Sequence, residues 1–124
     1  MLPAPYRLRD RRAFQALYQS GQRRSTAGLI LLFQPMPAGG EGIPSQVGLA
    51  VSKKVDKSAV RRNRLRRRLR EALRPLCPHL KPGYQLLFIP KPNLLTYKWP
   101  ELQAEVRYLL QKADLLVSPE EGLG

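Results

Sequence analysis

A chain of 124 residues with 43% hydrophobic side chains points to one domain with a modest core. A net charge of +13 suits a partner dense in phosphate, and a single cysteine excludes an internal disulfide and fits a reducing compartment. No apolar run reaches the roughly 18 residues that cross a bilayer, and the opening MLPAPYRLRDRR lacks the apolar stretch of a secretory signal. A soluble, cytoplasmic protein that does not enter a membrane is expected.

In chain order, residues 8–20 read as a helix, because Ala13, Phe14, Leu17 and Tyr18 recur at three- and four-residue intervals and Gly21 follows as a stop. Residues 29–33 form an apolar run of strand length. Residues 34–45, rich in proline and glycine, read as a loop. Residues 46–52 alternate large with small: Val47, Leu49 and Val51 on one face, and Gly48, Ala50 and Ser52 on the other, where something can approach closely. Ser58 suits the N-cap of a helix that runs to about Arg74, where Pro75 ends it. After a connector over 75–83, residues 84–89 form a second apolar strand. A last helix begins near Trp99–Pro100, with Leu102, Val106, Leu109, Leu110 and Ala113 as its apolar stripe. The domain is expected to span 1–113, and the acidic tail 114–124 to be disordered.

The middle helix carries the strongest signal. Seven of the ten residues from 61 to 70 are arginine, and the stretch 53–74 holds eleven of the 22 basic residues against Asp56 and Glu71, a local balance of +9. Like charges at (i, i+4) repel, so a polyanion is expected to offset them. At about 100° per residue, Leu65, Leu69, Ala72, Leu73 and Leu76 gather on one side, with Asn63, Arg66, Arg67, Arg70 and Arg74 opposite. The competing readings are a solvated basic face and a helix on anionic lipid; the latter wants Trp or Phe on its apolar face, and this helix shows only Leu and Ala. Phe14 and Tyr18 stand one turn apart near Arg7, Arg9, Arg11 and Arg12, and read equally well as core or as platforms on which single-stranded bases stack. Cys77 and His79 lack further metal ligands and make a poor nucleophile pair, and the nine carboxylates are scattered. The chain reads as a binder with no active site of its own.

VGLAVSKK (47–54), seven residues, then RNRLRRRLRE (62–71) closely resembles the signature of the bacterial ribonuclease P protein subunit. The opening L-x5-F-x3-[FY]-x2-G pattern is similar too, at Leu8, Phe14, Tyr18 and Gly21, as are the strand over 84–92 with its closing Lys-Pro and the last helix after Leu95, Thr96 and Tyr97. The resemblance covers roughly 6–113. It implies an α+β fold, a compact α/β sandwich in which the basic helix packs on a small sheet through an unusual left-handed β-α-β crossover. It implies a partnership with a catalytic RNA subunit that holds Mg2+ and removes the 5′ leader of precursor tRNA, the protein binding no cofactor alone and acting as a monomer in the holoenzyme. By the same resemblance, Arg62, Asn63, Arg64, Arg66, Arg67 and Arg70 contact the RNA subunit, and Phe14, Tyr18, Ser52, Lys53 and Lys54 border the leader cleft. A residue of the first apolar strand joins them, taken as Phe33: an alignment without gaps from Gly21 puts Leu32 there, and a one-residue shift puts Phe33. Arg68 stands where the family is often apolar, and Pro100 departs from its pattern at the start of the last helix. The alternatives are a structural, ribosomal-type RNA-binding protein and a stand-alone nuclease.

Overall fold

The computed structural model describes residues 2–117. Three helices, α1 (Arg11–Ser20), α2 (Ala59–Leu73) and α3 (Trp99–Lys112), accompany four strands, β1 (Gln22–Ser25), β2 (Leu29–Pro35), β3 (Gln46–Leu49) and β4 (Tyr84–Pro90). The sheet order is β1-β2-β4-β3. The β1–β2 and β2–β4 pairs are antiparallel, whereas β3 and β4 run parallel, so the chain must cross between them, and α2 makes that crossing.

Strand periodicity divides the apolar residues between two faces. Leu29, Leu31 and Phe33 of β2, with Leu86 and Phe88 of β4 and Val47 of β3, point into the larger core. There they meet Leu65, Leu69 and Leu73 of α2 and Leu102, Val106, Leu109 and Leu110 of α3. Leu32 and Leu87 point the other way, onto Leu8, Ala13 and Leu17 beside α1. The result is three layers, with α1 on one face of the sheet and α2 and α3 on the other. The apolar side expected of α2 is the side it buries, since Leu65, Leu69, Ala72, Leu73 and Leu76 are all buried.

Local chemistry sets the helix ends. The Asp10 carboxylate accepts the Arg12 N–H at 2.9 Å and starts α1. Ser58 Oγ accepts the Arg61 N–H at 3.3 Å and starts α2. Pro100 sits in the first turn of α3, where its missing N–H costs nothing, and Lys98 donates its N–H to Glu101 Oε1 at 2.8 Å.

Three expectations need correcting, and one strand, β1, was not anticipated. Leu8 lies outside α1, in an extended stretch whose N–H bonds the Val47 carbonyl at 3.0 Å and covers the free edge of β3. β1 has no apolar signal because it is a polar edge strand, specified by its ladder to β2. The β3 ladder ends at Leu49, short of Ser52. The tail is not loose from Asp114 onward: Asp114 turns the chain at φ 58°, a conformation aspartate tolerates. Leu115 is then buried, Leu116 bridges Leu80, and Val117 donates to the His79 carbonyl at 2.8 Å. Residues 118–124 of that tail lie outside the described residues.

Removing a fully buried side chain from α2 separates its anchor from its charge. Leu69→Ala is expected to lower unfolding stability by about 2–5 kcal/mol, while Arg67→Ala, at an exposed residue with no partner among the described residues, changes it by about 0.5 kcal/mol or less; urea unfolding of both variants measures this.

Candidate RNA interface

The sequence groups its basic residues by position along α2, but the structure sorts them by what their guanidinium groups touch. Arg62 Nη1 donates to the carbonyls of Asp56 and Lys57, both at 2.9 Å. Arg66 donates to Asn63 Oδ1 at 2.6 Å and to the Val51 carbonyl at 3.2 Å, tying the turn after β3 to the helix. Arg68 reaches the Tyr97 carbonyl at 2.7 Å, a specific role its charge alone does not suggest. Arg61 pairs with Asp56 at 3.3 Å. The Ser58 N–H, and after it Arg61, hold the Asp56 carboxyl below the usual carboxylate range. Arg64, Arg67 and Arg70 make no hydrogen bond or ion pair with the described residues, so their donors face outward for a ligand.

On the α1 side of the sheet, the small face of β3 receives the ring of Phe14. A Cβ at Gly48 would lie 2.7 Å from Phe14 Cε1, so only glycine admits the ring at this depth. Beside the ring lies a cavity of about 260 Å³, walled by Arg7, Leu8, Arg9, Gly48 and Leu49 and closed on one side by Arg66 and Arg70 of α2. Thus Arg66 and Arg70, grouped by resemblance with the RNA-subunit contacts, border the same cavity as Phe14, which the resemblance assigned to the leader cleft. Tyr18, one turn beyond Phe14, is 58% exposed. Ser52, Lys53 and Lys54 are exposed in the turn after β3, where Ser52 Oγ accepts the Lys54 N–H at 3.3 Å; none of the three lines the cavity.

Phe33 is a correction. It is 4% exposed in the core on the opposite face of the sheet, with the Arg24 guanidinium 5.5 Å from its ring centroid, and it does not border the cavity. Strand alternation puts Leu32, the residue of the alignment without gaps, on the α1 side, and the one-residue shift that selects the aromatic does not hold. Sequence reasoning missed Arg7 and Arg9 as wall residues. The sequence shows them only as neighbours of Phe14; with residues 8–20 read as a helix, the extended stretch that carries Arg7 and Arg9 to the wall was not legible.

The remaining reactive groups are quiet. Cys77 is buried, and burial pushes its thiol up to about 11 from 9.0, which removes the thiolate a nucleophile needs. Among the described residues, no three His, Cys, Asp or Glu side chains converge to hold a metal, and no helix is long and apolar enough to cross a membrane.

A basic three-layer α/β sandwich, with unpartnered guanidiniums beside an aromatic-floored cavity, defines an RNA-binding protein of small size. Residues 2–114 match the family model described as Ribonuclease P. The chain is 87% identical over 119 residues to the ribonuclease P protein component of Synechococcus sp. strain JA-3-3Ab, covering 96% of this chain and 94% of the relative. With that of Synechococcus sp. strain JA-2-3B'a(2-13), identity is 81% over 120 residues, 97% of this chain and 90% of the relative. The Staphylococcus aureus RNase P protein structure superposes with a TM-score of 0.77 at 21% identity, over 90% of this chain and 97% of that one, a likeness of fold. The chain belongs to the ribonuclease P protein family. Its function is that of the family: a protein component that works with an RNA subunit in processing the 5′ end of tRNA. The ribosomal-type alternative gives way to this.

The Cys77 thiol also sets a pH dependence. The folded thiol keeps its proton to about 11 and the unfolded one loses it near 9.0, so the folded state binds more protons between those values. Stability is expected to fall as pH rises through that window, and Cys77→Ala to remove that part of the fall; urea midpoints over a pH series read the difference.

Proposed function

We propose that α2 holds the RNA subunit along Arg64, Arg67 and Arg70, while the cavity beside Phe14 receives the single-stranded 5′ leader of precursor tRNA. The observation that carries this reading is the pairing of free guanidiniums with an aromatic floor: Arg70 has no partner among the described residues and lines the same cavity as Phe14. Arginine serves both surfaces, because its planar fork donates two parallel hydrogen bonds to a phosphate and stays charged at any working pH. A base resting on Phe14 or Tyr18 is stabilised whatever its identity, which suits leaders of varied sequence. Arg62, Asn63 and Arg66 act more through placement: their bonds to the protein fix the helix and the turn after β3, and Lys53 and Lys54 add cationic reach beside that turn. Ser52 caps the same turn. Precursor is separated from product by whether a leader occupies the cavity.

The chemistry in this reading belongs to the RNA subunit and the Mg2+ ions it holds. The protein screens crowded phosphates so that those ions gather at lower concentration. One copy of the protein serves one RNA subunit, in the cytoplasm where precursor tRNA is made.

Adding the protein to a bacterial ribonuclease P RNA at low Mg2+ is expected to restore cleavage of the 5′ leader. Failure by well-folded protein would sink the proposal. Affinity for RNA should fall steeply with salt, with a log–log slope of about −0.7 for each single-strand phosphate contact, and Arg67→Ala or Arg70→Ala should each flatten that slope by about one contact. Phe14→Leu keeps apolar volume over Gly48 but removes the ring. It is expected to lower affinity for leader-bearing tRNA by about tenfold and leave mature tRNA unchanged, as filter binding with the two RNAs would report.

A further inference from the structure

The cavity beside Phe14 uses only one flank of α2. The other flank borders a larger cavity, of about 740 Å³, between α2 and the chain leading into α3. Arg61, Arg64 and Arg68 line it from the helix, Tyr97 and Trp99 from the opposite wall, and Asp56 is its one carboxylate. Spacings of three and four place the three arginines on a single flank, turned away from Arg66 and Arg70.

These groups have different freedom. Arg68 is committed to the wall through its 2.7 Å bond to the Tyr97 carbonyl. Asp56 spends one oxygen on the Ser58 N–H at 2.7 Å and the other on Arg61 at 3.3 Å. Arg64 is exposed and touches no partner among the described residues. Trp99, the only tryptophan in the chain, stays 38% exposed although it is a large apolar side chain at the first position of α3. Three guanidiniums against one carboxylate leave the cavity cationic. A ring with free surface beside an uncommitted arginine matches the two halves of a nucleotide, base and phosphate.

We propose that this cavity holds one unpaired nucleotide of the RNA subunit, its base stacked on Trp99 and its phosphate on Arg64. The inference rests on the reading that α2 binds that RNA. The leader is the poorer occupant, because the outward ridge at Arg67 stands between this cavity and the one beside Phe14.

Trp99 reports on its own site, so the first test needs no substitution. Titrating the full-length protein with ribonuclease P RNA is expected to quench tryptophan emission, saturating at one RNA per protein, while a single-stranded leader oligonucleotide leaves emission unchanged. Binding is followed in parallel by filter retention. RNA that is retained without any change in emission overturns this inference and leaves the proposed function standing; RNA that is not retained defeats both. Quenching by the leader oligonucleotide alone overturns the assignment to the RNA subunit. Trp99→Ala should weaken affinity for the RNA subunit by about 5- to 150-fold, the range expected for one stacked base, and Trp99→Phe by only about threefold. Equal affinity in folded Trp99→Ala and the parent chain would also overturn the inference. Should that variant unfold, the emission titration decides alone.

Discussion

The structure depends on the docking of α2, a helix that would oppose its own formation in isolation. Seven arginine pairs fall at (i, i+3) or (i, i+4) between Arg61 and Arg74, and each such pair costs about 0.2–0.5 kcal/mol. Against that, Leu65, Leu69, Leu73 and Leu76 are buried on the sheet and against α3, and a fully buried leucine contributes about 1.5–3 kcal/mol. Burial wins by a clear margin. The helix can therefore hold a charge density that free peptide could not, and hold it in one orientation. Without its leucines, the same arginines would be a flexible polycation whose ordering cost falls on the binding step.

The second layer of control is the division of labour among the cations. Arg62, Arg66 and Arg68 are half-buried and spend donors on backbone carbonyls of the segments on either side of the helix. Arg68 continues into a chain of contacts, since the Tyr97 hydroxyl meets Glu105 Oε1 at 3.2 Å and Glu105 Oε2 accepts the Gly28 N–H at 2.9 Å. Burial first, and then the charge of Glu105, hold the Tyr97 phenol up, so it stays a donor. This chain links α2, α3 and the β1–β2 turn. Arg64, Arg67 and Arg70, next to these committed arginines, sit on a braced surface, and a braced surface loses less entropy when a ligand engages it.

How much of this was legible follows from which signals are local. The long periodic elements, α2 and α3 with Ser58 and Pro100 at their starts, could be read because caps and apolar stripes lie within a few residues. β1 could not, because Gln22, Arg23, Arg24 and Ser25 carry no apolar pattern and form a strand only by pairing with β2. The tail misled for a similar reason: Leu115 looks like part of a polar end, and its burial depends on His79 and Lys81, far away in sequence. At the site, composition could place cations on the outer side of α2 but could not say which ones the protein itself consumes. That division is set by carbonyls at Val51, Asp56, Lys57 and Tyr97, which every sequence possesses and none advertises.

Phe33 and Phe14 show the same limit from two directions. An aromatic in a basic chain invites the reading of a stacking platform, yet a strand offers its side chains alternately to opposite faces, and a shift of one residue moves the ring from one face of the sheet to the other. For Phe33 the wrong face was available to intuition because Leu32 looks less like a binding residue. For Phe14 the deciding residue is not the aromatic at all. Gly48, on a different element, leaves the space the ring enters, and the ring then stays half-buried, with its remaining surface in the cavity wall. A ring that lies against a strand therefore needs two things from a sequence: the ring itself, and a missing side chain opposite it that lets it approach the backbone.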